Sequence, residues 1–230
     1  MTATLELARQ LLGFNTINPP GSEADCMRFF ADWLADSGFE VSLSSFGEGR
    51  CNLIARLPGS KSGKPLAFTG HLDTVPLGNA RWQYDPFGAQ MEDGRLYGRG
   101  SSDMKAAIAA FAVACVHQRQ TIRAGRGALL LITGGEETGC DGARALIASD
   151  TLPEVGALIV GEPTANLSLE YDDTLPENID KYNLMNTENT TVAWVEISNF
   201  NGRQTSVEFY YAPHAPDIHR SVTTIAERCT

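Results

Sequence analysis

Phe68-Thr69-Gly70-His71-Leu72-Asp73-Thr74-Val75-Pro76 closes an apolar run that begins at Pro65. The run reads as a buried strand, and His71 and Asp73 follow two residues apart at its end. In an extended backbone, residues i and i+2 point the same way, so both side chains leave the strand on one face. A neutral imidazole is a common ligand for zinc-like metals. A carboxylate beside it fixes the ring tautomer and raises the ring's basicity. Such a pair standing alone is more often plain loop polarity. Three further acidic clusters, each at the end of a strand or the start of a helix, change its meaning.

Working outward, residues 39–43, 52–57 and 65–68 are strand candidates separated by Gly, Ser and Lys turns. Residues 128–133 form a continuous apolar run, as in a strand covered on both faces of a sheet. Residues 157–160 are another. Between them, 104–117 is an Ala-rich helix, apolar nearly all round and therefore buried, and 143–147 is helical. Residues 76–100 form a long loop rich in Gly and aromatics, with a short hairpin turning at Asp93-Gly94. Toward the N-terminus, Leu5, Ala8, Leu11 and Leu12 share one helical face. After the Asn18-Pro19-Pro20-Gly21 break, Ser22 with Asp25 marks a second helix start. That helix carries Cys26, Met27, Phe30, Trp33 and Leu34 on one stripe and ends at Gly38. Both N-terminal helices read as core packing and not as part of a site. The alternation predicts an α/β fold: a three-layer α/β/α sandwich with a mostly parallel mixed sheet. After about residue 167 the texture becomes polar and turn-rich, with strands predicted at 192–197 and 207–211 and a closing helix at 218–228.

The 230 residues suffice for one good-sized domain or two small ones. A net charge of −10 argues against nucleic acid or an anionic membrane surface as partner. The stretch from Ala106 to Val116 is too short to span a bilayer. Five scattered cysteines without a CxxC pair suggest neither a disulfide framework nor a thiolate zinc knuckle. Reduced, buried thiols and no basic-then-apolar leader give a cytoplasmic expectation.

The clusters that accompany His71 follow one placement rule. Asp103 stands at the start of the buried helix, where an ordinary N-cap is the competing reading. Glu136 and Glu137 follow the 128–133 strand in Gly134-Gly135-Glu136-Glu137-Thr138-Gly139. Glu162 follows the 157–160 strand in Gly161-Glu162-Pro163-Thr164. A weaker cluster is His214-Ala215-Pro216-Asp217, with His219 nearby. Open α/β sheets bind ligands beyond the carboxyl ends of their strands. Carboxylates gathered at one edge repel each other unless a cation sits between them. The constellation suggests a two-metal hydrolytic centre, with zinc as the expected ion and cobalt or manganese also suited to these ligands.

Residues 66–164 resemble the zinc metallopeptidase family of acetylornithine deacetylase, succinyl-diaminopimelate desuccinylase, aminoacylase and glutamate carboxypeptidase. The matching stretches are Thr69 through Pro76, Trp82 through Phe87, Gly94 through Gly100 with Asp103-Met104-Lys105, Gly135 through Gly139, and Gly161 through Thr164. The resemblance implies that His71 binds one metal and Asp73 orients it. It implies that Asp103 bridges both metals, Glu162 completes the first site and Glu137 ligates the second. Glu136 would be the general base that takes a proton from a metal-bridging water and delivers it to the leaving amine. A late histidine would complete the second site, with His214 the candidate and His219 the alternative. The implied substrate is a small N-acyl amino acid or peptide. Arg99, Arg203 and Lys105 are candidates for its α-carboxylate.

Family members carry a lid domain after the Gly-Glu-Pro-Thr motif. It supplies a histidine that steadies the oxyanion in a neighbouring subunit and builds the dimer. No histidine lies between Glu162 and His214, and the interval is too short for such a lid. The expectation is therefore a single catalytic domain over 1–230. In it, 1–166 is the family-like core and 167–230 is a divergent segment replacing the lid, without the usual dimer. The competing expectation is a lidless, catalytically impaired relative with a binding or regulatory role, or a truncated gene product.

Overall fold

A computed structural model describes residues 2–79 and 81–162, together with the strands Trp194–Ser198 and Ser206–Tyr210. The predicted helix at 218–228 lies outside the described residues.

The order is α1 (Ala3–Leu12), α2 (Ala24–Asp36), β1 (Glu40–Gly47), β2 (Arg50–Pro58), β3 (Leu66–His71), β4 (Gln90–Glu92), β5 (Arg95–Tyr97), α3 (Lys105–His117), α4 (Arg119–Ala124), β6 (Gly127–Thr133), α5 (Asp141–Ala148), β7 (Ala157–Val160), β8 (Trp194–Ser198) and β9 (Ser206–Tyr210). A five-stranded mixed sheet runs β1-β2-β6-β3-β7. β2 is antiparallel to both β1 and β6, while β6, β3 and β7 run parallel. The parallel group carries His71, Asp73, Glu136, Glu137 and Glu162 at its carboxyl ends, while Asp103 stands just before α3. β8 and β9 form an antiparallel pair where strands were predicted.

Period-2 alternation divides the sheet between two cores. Leu53, Ala55 and Leu57 of β2, Phe68 of β3, and Ala128, Leu130 and Ile132 of β6 face the larger core, which α1, α2 and α3 also fill. Ile54, Ala67, Leu129, Leu131, Leu158 and Val160 form the smaller cluster. That explains why β6 reads as an unbroken apolar run. The Phe68 and Phe111 rings stack at 4.3 Å and key β3 to α3. In α3 the alanines favour helix, and Ile108, Ala109, Ala112, Val113 and Cys115 are buried.

Several expectations shift in detail. In α1 the buried stripe is Leu7, Ala8, Leu11 and Leu12, so Leu7 replaces Leu5. The start of α2 is not capped by Ser22. Glu23 occupies the cap position without a side-chain cap bond, and its side chain is directed elsewhere. α4 has no buried residue and therefore no apolar periodicity to read. It is tied instead to the end of α2, where Arg123 donates to the Gly38 carbonyl at 3.0 Å. The β4–β5 hairpin turns where predicted, with positive φ at both Asp93 (48°) and Gly94 (74°), the geometry of a two-residue type I′ turn. No described helix is long and apolar enough to cross a membrane.

Candidate metal centre

The segment before α2 seats the rim of the site. Thr16 Oγ1 donates to the Leu72 carbonyl at 2.6 Å. The Thr74 N–H donates to Thr16 O and the Asn18 N–H to Thr74 O, so 16–18 pairs with the end of β3. This fixes His71-Leu72-Asp73-Thr74 just beyond the sheet, with His71 and Asp73 almost fully buried.

His71 Nδ1 lies 2.9 Å from the main-chain carbonyl of Asp73. A carbonyl only accepts, so Nδ1 carries the proton and Nε2 faces the cluster. Nε2 lies 3.1 Å from Asp103 Oδ1, 3.6 Å from Glu162 Oε1 and 3.8 Å from Glu136 Oε2. Burial alone would lower the ring's pKa. Hydrogen bonds with Asp103, Asp73 and Glu162 outweigh it and hold the pKa well above the usual histidine value. Asp103 does not cap α3. Met104 takes the cap position without a side-chain bond, and the Asp103 carboxylate turns to His71.

Asp73 acts on more than the ring. Its carboxylate accepts from the Glu136 and Glu137 N–H groups, both at 3.1 Å, and from Asn18 Nδ2 at 2.9 Å. Its Oδ1 is 3.4 Å from His71 Nδ1. Burial opposes its ionisation, but these donors and the imidazole keep its pKa below the ordinary value. Sequence reasoning assigned Asp73 to the imidazole. In the structure the Asp73 carbonyl makes the closer contact with the ring, 2.9 Å against 3.4 Å for the carboxylate, and the carboxylate also holds the Glu136-Glu137 loop.

Two groups of ligand atoms come within 4.8 Å of one another: His71 with Asp103 and Glu162, and His71 with Glu136 and Glu137. Glu137 Oε1 is a buried acceptor without a hydrogen-bond partner. Burial and the nearby Asp103, Glu136 and Asp73 carboxylates, against the lowering effect of His71, push its carboxyl up to about 7. Glu136 is raised for the same reason, burial first. Crowded carboxylates and an orphaned buried oxygen are the signature of a site suited to a cation. His214, His219 and Arg203 lie outside the described residues.

Of the cations proposed for substrate, Lys105 is fully buried and committed elsewhere. Its Nζ donates to the Leu11 and Phe14 carbonyls at 3.1 and 2.8 Å. Arg99 donates to Pro76 O at 3.0 Å and lies 5.1 Å over the Trp82 ring. Cys140 sits 3.9 Å from Glu136 Oε1, and burial next to that carboxylate raises its thiol to about 11. It is a protonated neighbour and not a nucleophile.

Sequence reasoning missed the second carboxylate that holds this loop. Glu23, fully buried, accepts the Gly135 N–H at 3.1 Å and pairs with Arg50. The signal was present, because Glu23 falls on the buried stripe of α2 at helical spacing from Met27, Phe30 and Leu34. A charge on an apolar stripe requires a partner.

The profile of Peptidase family M20/M25/M40 matches residues 67–227. The match therefore runs past Thr164, where the motif resemblance ends. Succinyl-diaminopimelate desuccinylase 2 of Ruegeria sp. (strain TM1040) is 38% identical over 170 residues, 72% of this chain and 42% of that protein. The succinyl-diaminopimelate desuccinylase of Acidiphilium cryptum (strain JF-5) is 44% identical over 169 residues, 71% of this chain and 43% of that protein. The chain spans less than half the length of these curated relatives. The M20 family metallo-carboxypeptidase Sso-CP2 from Sulfolobus solfataricus shares the fold, with TM-score 0.62 and 22% identity over 70% of this chain and 37% of that one. For the aminopeptidase PepT of Bacillus cereus ATCC 10987 the TM-score is 0.55 at 26% identity, over 69% of this chain and 42% of that one.

Proposed function

We propose, because this chain belongs to Peptidase family M20/M25/M40, that it is the catalytic domain of a metal-dependent hydrolase cleaving the amide bond of N-acyl amino acids or small peptides. The observation that carries this reading is the convergence of His71, Asp103, Glu136, Glu137 and Glu162 at the carboxyl ends of β3, β6 and β7. The donor set, one imidazole and several carboxylates, fits zinc and also cobalt or manganese. His71, Asp103 and Glu162 would hold one ion. Asp103, Glu137 and a late histidine, His214 before His219, would hold the other. Two such ions, when bound, supply Lewis acidity toward the scissile carbonyl and make the attacking water more acidic.

The chain's own residues do the rest. His71 presents Nε2 because its Nδ1–H is fixed on the Asp73 carbonyl. Asp73 holds the loop that carries Glu136. Glu136, with a quarter of its side chain exposed (24%), accepts the water's proton as the C–O bond forms. It returns that proton to the amine nitrogen as the C–N bond breaks. We further read the chain as cytoplasmic. Support for the compartment comes from the free cysteines among the described residues.

The test is metal analysis of the 230-residue protein together with hydrolysis of a panel of N-succinyl and N-acetyl amino acids and dipeptides. Glu136→Gln is expected to keep its metal and lose about 10²–10⁴-fold in kcat. Turnover by the parent no faster than by Glu136→Gln rejects the reading.

A further inference from the structure

The loop between β6 and α5 is held by its own main chain and by two buried carboxylates. On the carbonyl side, Gly134 O, Gly135 O and Glu136 O accept from Gly142, Asp141 and Gly139 N–H groups. On the amide side, three successive N–H groups go to carboxylates: Gly135 to Glu23 and Glu136 and Glu137 to Asp73. Glu23 belongs to the segment opening α2, far from the metal-ligand motifs in sequence. Arg50, at the start of β2, grips it with Nη2 at 3.0 Å on Oε1 and Nε at 3.3 Å on Oε2. Arg50 Nη1 also lies 3.6 Å from Asp141 Oδ2, and the guanidinium sits 5.1 Å over the Phe46 ring. At Gly135 φ is +71°, and a Cβ there would fall 2.5 Å from Arg50 Nη2. The loop is thus fitted closely against the ion pair.

A buried ion pair is weak evidence for stability, since apolar residues of similar volume commonly replace one at no cost. What such residues cannot do is accept the Gly135 N–H. We propose that Glu23, clamped by Arg50, is a positioning residue: it fixes the Gly135 amide and thereby the spacing of Glu136 and Glu137 at the metal centre. This rests on the hydrolase reading for its consequence, and on the hydrogen bonds alone for its geometry.

The decisive variant is the double change Glu23→Leu with Arg50→Met. Two measurements are made: hydrogen exchange of the 135–137 amides in metal-free protein, and calorimetric Zn2+ titration. The expected result is an unfolding midpoint near the parent's and faster exchange at those amides. The equivalent at His71, Asp103 and Glu162 is retained, and the equivalent at Glu137 is weakened about 10–100-fold. Site-selective loss at unchanged stability is an outcome that a merely structural pair would not give. Parent-like exchange and parent-like uptake of both equivalents overturn the proposal. If the double variant does not fold, Glu23→Gln answers the same question. It keeps an oxygen for Gly135 but loosens Arg50, so both effects must appear at smaller size, and parent-like values again overturn the proposal. A parent chain that takes up no Zn2+ defeats the hydrolase reading alone, because amide exchange still decides the positioning role.

Discussion

Glu137 carries a buried oxygen without a partner and a carboxyl raised from 4.5 to about 7 by burial and neighbouring negative charge. In the metal-free fold it therefore holds a proton that the unfolded chain releases. That contribution to stability is complete below pH 4.5 and is lost as pH rises through about 7. Glu136 and His71, both raised, act in the same direction. The melting temperature of metal-free protein is expected to fall across this window, and Glu137→Gln to flatten the fall. Zn2+ uptake measured in two buffers of different ionisation heat is expected to release protons within the window. A flat melting profile contradicts this account. At this scale much was legible: His71, Asp103, Glu136, Glu137 and Glu162 were each marked by their position after an apolar strand or before a buried helix. The partner choices were not legible. Whether Asp103 caps α3 or turns to an imidazole depends on the close approach of β3, which no local pattern encodes.

The elements were readable wherever burial imposed a period. β6 and β7 were found because both of their faces are covered, and α2 because its stripe is continuous. α4 was not found, since Ile122 alone packs against the core, half-buried, and one apolar contact makes no period, while Arg119 and Arg123 bond to carbonyls beyond α2. One contact in the apolar junction of α1 with α3 was hidden for a different reason, because it is made by a cation. Lys105 looked like a substrate ligand. It instead satisfies two carbonyls, Leu11 at the end of α1 and Phe14 just beyond it, at the cost of a lysine pKa lowered by burial. Lys105→Met keeps the stem and takes the ammonium donor from the Phe14 carbonyl, while the Leu11 carbonyl keeps the Phe14 N–H. It is expected to cost about 1–3 kcal/mol, read as a lower urea midpoint with unchanged slope. A midpoint equal to the parent's would show that water replaces the ammonium.

For the whole molecule, the layered α/β plan followed from the order of elements, and the site's location followed from the parallel strands. The antiparallel β1–β2 edge was less visible, because its outer residues, Leu43 included, are exposed and break the apolar run. Since the candidate ligands come from three strand ends and the start of α3, cation binding would cross-link the fold. Zn2+ at a hundred times its dissociation constant is expected to add about 2.7 kcal/mol of stability, with a higher melting temperature that chelator reverses. An unchanged melting temperature would mean the rim takes up no ion. The three amides after Gly134 have a further consequence. Turn-borne N–H groups beside a reacting carbonyl commonly serve as a cradle for incipient negative charge. Here that cradle points inward and is already filled by Glu23 and Asp73. The loop is an anchor and not an anion trap, because each of these three N–H groups already has its carboxylate and none is left to meet an anion at the rim.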